Sequence, residues 1–251
     1  MSTREKLAYF WEYYKIHTLA AIIILAIVIS LVKQFVTSKD TGLYAVLIDA
    51  ITTDSNSGLN EIWSEEFLEY AQIDPDKYEV SIDTSISISE NVDMQYSMVN
   101  QQKLFAMLAA GGISAFVADT ETFETYAQND YFYDIEPFLS GEELNKYGSY
   151  LYYTDISTFG NTSDIPSDGG SAQEESGNPV INHRDPSAME QPSAIGVILT
   201  EDTKIADAGY YAYLKENGYE YQGYPSDVVL GIPVTCKEPE LVIRFLEYLF
   251  E

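Results

Sequence analysis

The sequence contains few of the residues that most often build disulfides, metal sites and acid–base centres. Its 251 residues include one cysteine and two histidines. A single cysteine excludes an internal disulfide framework and any zinc or iron–sulfur site that needs several cysteines. Basic side chains are also scarce, with 13 Lys and Arg against 40 Asp and Glu. Because proteins bind nucleic acids by neutralising phosphates with basic side chains, a nucleic-acid partner is not expected.

The acidic excess is confined to one part of the chain. Residues 1–39 carry five basic and two acidic side chains, a net charge of +3, whereas residues 40–251 carry eight basic and 38 acidic ones, a net charge of −30. Between these regions lies an apolar run over residues 18–36 in which Lys33 is the single charged residue. Its 19 residues are close to the ~20 that cross a bilayer as a helix. The sequence therefore predicts a transmembrane helix over residues 18–36, in contact with membrane lipid.

The residues around this run predict its orientation. Aromatic side chains favour the headgroup level of a membrane, and basic residues favour the cytoplasmic side. Residues 1–17 are therefore predicted to be cytoplasmic, and the acidic region extracytoplasmic, in a single-pass cell-membrane protein. Lys33 lies near the end of the span, where its side chain can extend to the headgroups. The predicted membrane-interface residues are Tyr9, Phe10, Trp11, Tyr13, Tyr14, Lys15 and Lys33.

Two other interpretations of the apolar run remain open. A buried core helix would explain its composition, but not the aromatic cluster and the charge asymmetry together. A cleaved signal peptide is compatible with the small residues Val36 and Ser38 before a cut at Lys39. The aromatic N-terminal region, which contains glutamate, and the polar residues after the run favour an uncleaved anchor.

Strand and helix patterns alternate through the rest of the chain, which is typical of an α/β domain with a parallel sheet core. Apolar or alternating runs predict five strands, over residues 42–51, 78–88, 113–118, 194–199 and 228–235. Helical periodicity predicts helices over residues 59–73, 94–110, 120–128, 141–153, 203–217 and 238–250. In the helix over residues 94–110, Met94, Met98, Phe105 and Leu108 recur at helical spacing.

The predicted domain is interrupted once. Residues 157–192 contain a run rich in Gly, Ser, Asp and Glu with no sustained period, which predicts a low-complexity linker or excursion. The expected organisation is therefore an α/β domain in two parts. Its first part covers residues 42–156, and its returning part covers residues 193–251. We expect a three-layer α/β architecture after the N-terminal transmembrane helix.

Carboxylates and hydroxyls follow the predicted strands, where open parallel sheets bind ligands. Such groups can hydrogen-bond sugar hydroxyls or amines, or hold a metal ion. The alternative is that they cap the helices and turns that follow. The candidate ligand-binding residues are Asp49, Thr53, Asp83, Thr84, Asp119, Thr120, Glu121 and Glu201.

No catalytic residue, cofactor or metal ion is predicted. Residues 54–58 and 167–170 resemble calcium loops in composition, but Gly58 falls one place too early for an EF-hand. Cys236 follows a strand and is expected to pack. His17 lies at the membrane boundary and His183 in the excursion, with no evident catalytic partner. A glycosidase is the least favoured alternative. Its signature is a pair of carboxylates, and among 38 acidic residues such pairs are too numerous to be specific evidence.

One stretch of the chain resembles a known family. In residues 100–139 a helix ends in Ala109-Ala110-Gly111, a buried strand ends in Ala118-Asp119, and Asp134-Ile135-Glu136-Pro137 follows. This order resembles the extracellular solute-binding proteins of sugar-type ABC transporters, and residues 230–249 are similar to their late strand and helix. The resemblance implies one lobe of a periplasmic binding protein, although members of that family have two lobes and do not require a transmembrane anchor.

Two functions follow as expectations. The favoured one is a membrane-anchored interaction or scaffold protein that has no catalytic activity and binds other membrane or cell-surface proteins. The alternative is a tethered binding module for a small polar solute, a sugar or a peptide, linked to transport. The single predicted lobe favours the first.

Overall fold

The computed structural model describes residues 3–37, 39–89, 93–159, 182–211 and 227–251. The chain forms two compact units, Met1–Asp40 and Thr41–Glu251. The predicted excursion falls largely on residues 160–181, which lie outside the described residues. Of the helix predicted over residues 203–217, residues 212–217 also lie outside them, and within the described part the helix ends at Asp207.

The first unit is a single helix, α1, which spans Thr3–Thr37. Its segment Tyr13–Ser30 is long and apolar enough to cross a membrane, and none of that segment is buried. Within the described part of the chain it is the one helix with these properties. A helix of this kind near the N-terminus is consistent with a membrane anchor or with a signal sequence. Trp11, Tyr13, Lys15 and Lys33 are all exposed.

The second unit is an α/β fold with a six-stranded mixed sheet flanked by helices. The sheet order is β2-β1-β3-β6-β5-β4. The strands are β1 (Asp40–Leu47), β2 (Tyr78–Asp83), β3 (Ala115–Asp119), β4 (Leu151–Asp155), β5 (Pro192–Leu199) and β6 (Val228–Gly231). The helices are α2 (Leu59–Tyr70), α3 (Met94–Ala109), α4 (Thr120–Ala127), α5 (Gly141–Tyr147), α6 (Lys204–Asp207) and α7 (Pro239–Leu249).

The sheet is mixed because β6 runs in the opposite direction to its two neighbouring strands. β1 and β3 are parallel, whereas β6 is antiparallel to both of its neighbours, β3 and β5. β4 is in turn antiparallel to β5. The expected parallel core therefore holds for the directly paired strands β1 and β3, but β6 separates β3 from β5.

Helices cover both faces of the sheet. Successive strand residues point to opposite faces, so Ala45 and Leu47 of β1 belong to one core cluster and Val46 and Ile48 to the other. The first cluster includes buried residues of α2 and α7, and the second includes buried residues of α3 and α4. The unit thus has the expected three layers.

A close contact fixes α4 against the middle of the sheet. The Phe123 ring stacks on Phe132, with centroids 4.4 Å apart and ring planes 7° from parallel. A Cβ atom added to Gly231 of β6 would lie 2.7 Å from this Phe123 ring. Glycine is therefore required at this position because the ring occupies the space of a side chain.

Several elements differ from the sequence prediction. Residues 141–153 were predicted to be helical, but α5 ends at Tyr147 and residues 151–155 form the edge strand β4. The strand predicted over residues 228–235 ends at Gly231. The helix over residues 94–110 is confirmed as α3, but its buried residues are Asn100, Leu104 and Leu108. Met94, Met98 and Phe105, which helped to predict it, are exposed.

Candidate functional site

Three predicted site segments meet at one edge of the sheet. β1 and β3 end at the same edge because they are parallel. β5 also ends there, since Asp119 of β3 and Leu199 of β5 both lie opposite Val228 of β6. Residues that follow β1, β3 and β5 are therefore brought to one edge. These include Asp49, Thr120, Glu121 and Glu201.

Asp49 joins the end of β1 to the segment after β2. Its backbone is left-handed, with φ of 56°. One carboxylate oxygen accepts hydrogen bonds from Ser87 Oγ at 2.5 Å and from the N–H groups of Ile88 and Ser89 at 2.9 and 3.0 Å. Its own N–H donates to the Ile86 carbonyl at 3.0 Å. Asp49 thus serves as an internal acceptor that holds residues 86–89 in place.

Asp119 is the N-terminal cap of α4. Its carboxylate accepts hydrogen bonds from the Thr122 N–H at 2.9 Å and the Thr122 hydroxyl at 3.2 Å. A carboxylate in this position satisfies a free N–H of the first helical turn and interacts favourably with the helix dipole. The cap is therefore Asp119 and not Thr120, whose N–H instead donates to the Asp227 carbonyl at 3.0 Å. Glu121 follows in the first turn with an exposed side chain.

Asp83 is the last residue of β2, and its side chain contacts Tyr44 within β1 and not the end of that strand. Its carboxylate accepts from the Tyr44 hydroxyl at 2.5 Å and from the N–H and hydroxyl of Ser85 at 2.8 and 2.6 Å. Burial alone would raise the pKa of Asp83, but the hydrogen bonds from Ser85 and Tyr44 outweigh it and lower that pKa. Burial and the bond to Asp83 raise the pKa of Tyr44. Because Tyr44 precedes Asp49 by five residues, Asp83 is not placed beside Asp49.

The remaining predicted residues lie in turns. Thr53 donates its N–H to Asn56 Oδ1 at 2.7 Å. The Asn56 side chain is buried and donates to the carbonyls of Ile51 at 2.8 Å and Ala208 at 3.2 Å. No sequence pattern signals a role for Asn56, which fixes the loop after β1. Thr84 is half-buried after β2, and Glu201 is exposed in the turn before α6.

A second cluster, around His183, was not found by sequence analysis. His183 Nε2 pairs with a carboxylate oxygen of Glu124 on α4. The same oxygen accepts from the Tyr152 hydroxyl at 3.1 Å. The imidazole ring stacks on the Tyr152 ring, with centroids 4.4 Å apart. These residues are widely separated in the sequence, so no local spacing signals the cluster.

Both ring nitrogens of His183 face hydrogen-bond acceptors. Nε2 faces a carboxylate, and Nδ1 lies 2.7 Å from the Tyr153 carbonyl. A carbonyl oxygen and an ionised carboxylate only accept hydrogen bonds, so this arrangement favours the protonated ring. Burial lowers the pKa of His183, but the hydrogen bonds to Glu124 and to the Tyr153 carbonyl raise it by more. The net shift of this pKa is therefore upward. A histidine whose two ring nitrogens are engaged in this way is poorly placed to act as a general base.

Asp155 links the two ends of the predicted excursion by hydrogen bonds. Its carboxylate accepts from the N–H and hydroxyl of Ser157 at 3.0 and 2.6 Å, and from the N–H groups of Glu190 and Gln191 at 2.8 and 3.0 Å. The bonds from Ser157 and then from Glu190 and Gln191 hold the pKa of Asp155 at about 2. The two ends of the excursion are thus joined by one side chain.

The structure and the comparisons establish only the architecture of the chain. The chain combines an N-terminal apolar helix with a three-layer α/β domain, and the described residues contain no group of His, Cys, Asp or Glu side chains that could hold a metal ion. Comparisons with protein-family models, with curated proteins and with solved structures find no match to the chain.

Proposed function

We propose that this chain is a single-pass membrane protein whose extracytoplasmic α/β domain binds other proteins and has no catalytic activity. Residues 18–36 form the anchor, residues 1–17 are cytoplasmic, and the acidic domain lies outside. The charge of +3 before residue 40 and of −30 after it supports this orientation under the positive-inside rule. The acidic domain is repelled by anionic headgroups, which keeps it off the lipid surface.

The observation that carries the proposal is the engagement of the strand-end carboxylates inside the chain. Asp49 accepts three hydrogen bonds, Asp83 accepts three and Asp119 accepts two. A solute that used these carboxylates would have to displace the bonds that hold the segment 86–89 and cap α4. Their roles in folding favour an interaction domain over a solute-binding one.

The compactness of the domain supports the same conclusion. Solute-binding proteins, which residues 100–139 resemble, close two lobes over a ligand. Here residues 41–251 form one compact unit around one sheet. The described residues of this unit form one lobe and no second lobe that could enclose a solute. The outer surface of this lobe is available to other proteins.

A ligand screen on the full chain in phosphatidylcholine nanodiscs tests the proposal. Thermal unfolding is followed by intrinsic tyrosine and tryptophan fluorescence with sugars, amino acids and short peptides, each at millimolar concentration. A solute present at a hundred times its Kd would stabilise the native state by about 2.7 kcal/mol. For a domain of this size that corresponds to a rise in Tm of roughly 5–10 °C. We expect no such rise.

The outcome that overturns the proposal is specific. A solute that raises Tm by this amount, and loses its effect with Glu121→Gln and Glu201→Gln but not with the distant Glu65→Gln, would make the sheet edge a binding site. The anchor is tested separately by the intact mass of the membrane-extracted protein. A mass that lacks residues 1–38 would show a cleaved signal peptide in place of an anchor.

A further inference from the structure

Helix α3 exposes an apolar side that the sheet does not use. Its buried residues, Asn100, Leu104 and Leu108, lie on the opposite side. On the exposed side, Met94 is 74% exposed, Val99 57% and Met98 54%. We define the α3 face as the exposed side chains Met94, Gln95, Met98, Val99, Gln102 and Phe105.

The α3 face is uncharged within a strongly acidic domain. The 16 residues of α3 include no Asp or Glu and one Lys, Lys103. Its borders are acidic. Asp93 caps the first turn of α3 and is exposed. Asp130 is exposed and precedes Tyr131, whose ring centroid lies 6.2 Å from that of Phe105.

Exposure of these side chains is costly unless another molecule covers them. Burying one Met, Val or Phe side chain is worth about 1.5–3 kcal/mol. Contiguous exposed apolar residues with a polar border mark interaction sites on soluble domains. Methionine is flexible and polarizable, which suits a surface that adapts to a partner.

We propose, on the basis of the interaction role above, that the α3 face binds an amphipathic helix of a partner protein. The apolar side of that helix packs on Met94, Met98 and Phe105. Lys or Arg side chains at its borders lie opposite the exposed carboxylates of Asp93 and Asp130. The packing supplies the affinity, and the charges orient the helix and accelerate its association.

Area and charge together select this occupant. A 16-residue helix is about 24 Å long and ~10–12 Å across, so one face offers well under the ~800 Å² per partner of a stable protein–protein interface. This area fits a transient contact with a short segment and not a stable dimer. A second copy would also bring another charge of −30 to the same border. A basic helix of similar length matches both the size and the sign of the charge.

The chain's own remaining segments have the wrong charge for this border. Residues 160–181 contain four acidic residues and no basic one, and residues 212–226 contain two acidic residues and one basic one. The partner helix is therefore expected to come from another protein.

The methionines provide a direct test on the full chain. The protein is labelled with methyl-¹³C methionine, reconstituted in phosphatidylcholine nanodiscs and titrated with an 18-residue Leu/Lys peptide that forms an amphipathic helix. A Leu/Glu peptide of the same pattern is the charge control. We expect the Leu/Lys peptide to shift the signals of Met94 and Met98 and to leave that of Met189 unchanged. The Leu/Glu peptide should shift none of them at the same concentration.

Variants of the α3 face give the second measurement. Met94→Gln with Met98→Gln keeps a good helix former at two exposed positions, so folding is preserved. We expect this pair to weaken binding of a fluorescent Leu/Lys peptide by about tenfold or more, as loss of central apolar contacts does in other interfaces. Ile62→Gln, at an exposed position of α2 on the other side of the sheet, should leave the affinity unchanged.

Each alternative outcome contradicts the proposal. Equal effects of both peptides would reject a basic partner, and equal affinities of the α3 and Ile62 variants would reject the surface. Shifts of Met94 and Met98 that depend on protein concentration alone would identify a second copy as the occupant, and shifts that appear only with anionic lipid would identify the membrane. These outcomes would reject the α3 face as the binding surface and would leave the proposed interaction role untouched. A solute that raises Tm and loses this effect with Glu121→Gln and Glu201→Gln would reject the interaction role itself.

Discussion

The carboxylate of Glu124 on α4 pairs with the imidazole ring of His183, a residue within the predicted excursion that stacks on Tyr152 of β4. This pair connects a helix on one face of the sheet to an edge strand. Arg184 extends the connection by pairing with Asp227 at 2.8 Å, just before β6. The excursion is thus anchored on its returning side by charge pairing and ring stacking.

The Glu124–His183 pair should make stability depend on pH. The pKa of His183 is raised in the folded state, above an unfolded value of about 6.5. Its contribution is therefore complete below about pH 6.5 and is lost as pH rises through the folded pKa. Glu124→Gln should cost about 1 kcal/mol at pH 6 and much less at high pH. Urea unfolding across this range measures the effect.

A matched control uses the other histidine of the chain. His17→Gln in α1 should leave the pH profile of domain unfolding unchanged. If Glu124→Gln and the unaltered protein show parallel profiles, the imidazolium is not the source of the pH dependence.

Asp119 should behave as a helix cap. Asp119→Ala removes the acceptor for the Thr122 N–H and should cost about 1 kcal/mol of unfolding free energy. Asp119→Ser keeps a capping oxygen and should cost only a few tenths of that. Chemical denaturation of both variants measures the difference. Equal costs would mean that the carboxylate is needed for something other than the cap.

Gly231 should not tolerate a side chain. In Gly231→Ala the new methyl group would lie 2.7 Å from the Phe123 ring, which stacking on Phe132 prevents from moving freely. The expected cost is about 1–3 kcal/mol. Gly141→Ala is the control, since a Cβ there meets nothing within 4 Å. The cost of Gly231→Ala should shrink in a Phe123→Leu background, and an undiminished cost would contradict the steric origin.

Asp155 should protect the backbone amides at the returning end of the excursion from hydrogen exchange. Asp155→Ala should accelerate hydrogen exchange at Glu190 and Gln191, which donate to its carboxylate. Asp185→Ala removes a similar local bond to Ser187 and should leave those two amides protected. Because the pKa of Asp155 is held at about 2, its contribution persists at pH 4 and is lost only as pH falls through that value.

Sequence periodicity predicted most elements because local burial patterns determine them. α2 and α7 have strong apolar stripes, and the alternating or continuous apolar runs of β1, β3 and β5 are equally clear. The direction of β6 could not be predicted in this way. An apolar run of four residues, Val228–Gly231, reads the same in either orientation, and its place between β3 and β5 depends on contacts distant in sequence.

The edge strand β4 and the His183 cluster were missed for related reasons. The tyrosines of Leu151–Asp155 suit a helix or a strand, and only pairing with β5 decides between them. Glu124 and His183 have no shared motif. The polar residues after each strand were visible in the sequence, but their hydrogen bonds as caps and internal acceptors required the backbone positions.

The place of β6 also sets the order in which the domain can assemble. β6 is the last of the six described strands to leave the ribosome, yet it lies between β3 and β5, and among these six strands it alone pairs with both. Until it arrives, the nascent chain holds one half-sheet of β2, β1 and β3 and another of β5 and β4, with unpaired edges facing each other. The domain therefore closes only after synthesis has passed residue 231, and a ribosome that stalls earlier leaves two exposed edges open to chaperones or proteases.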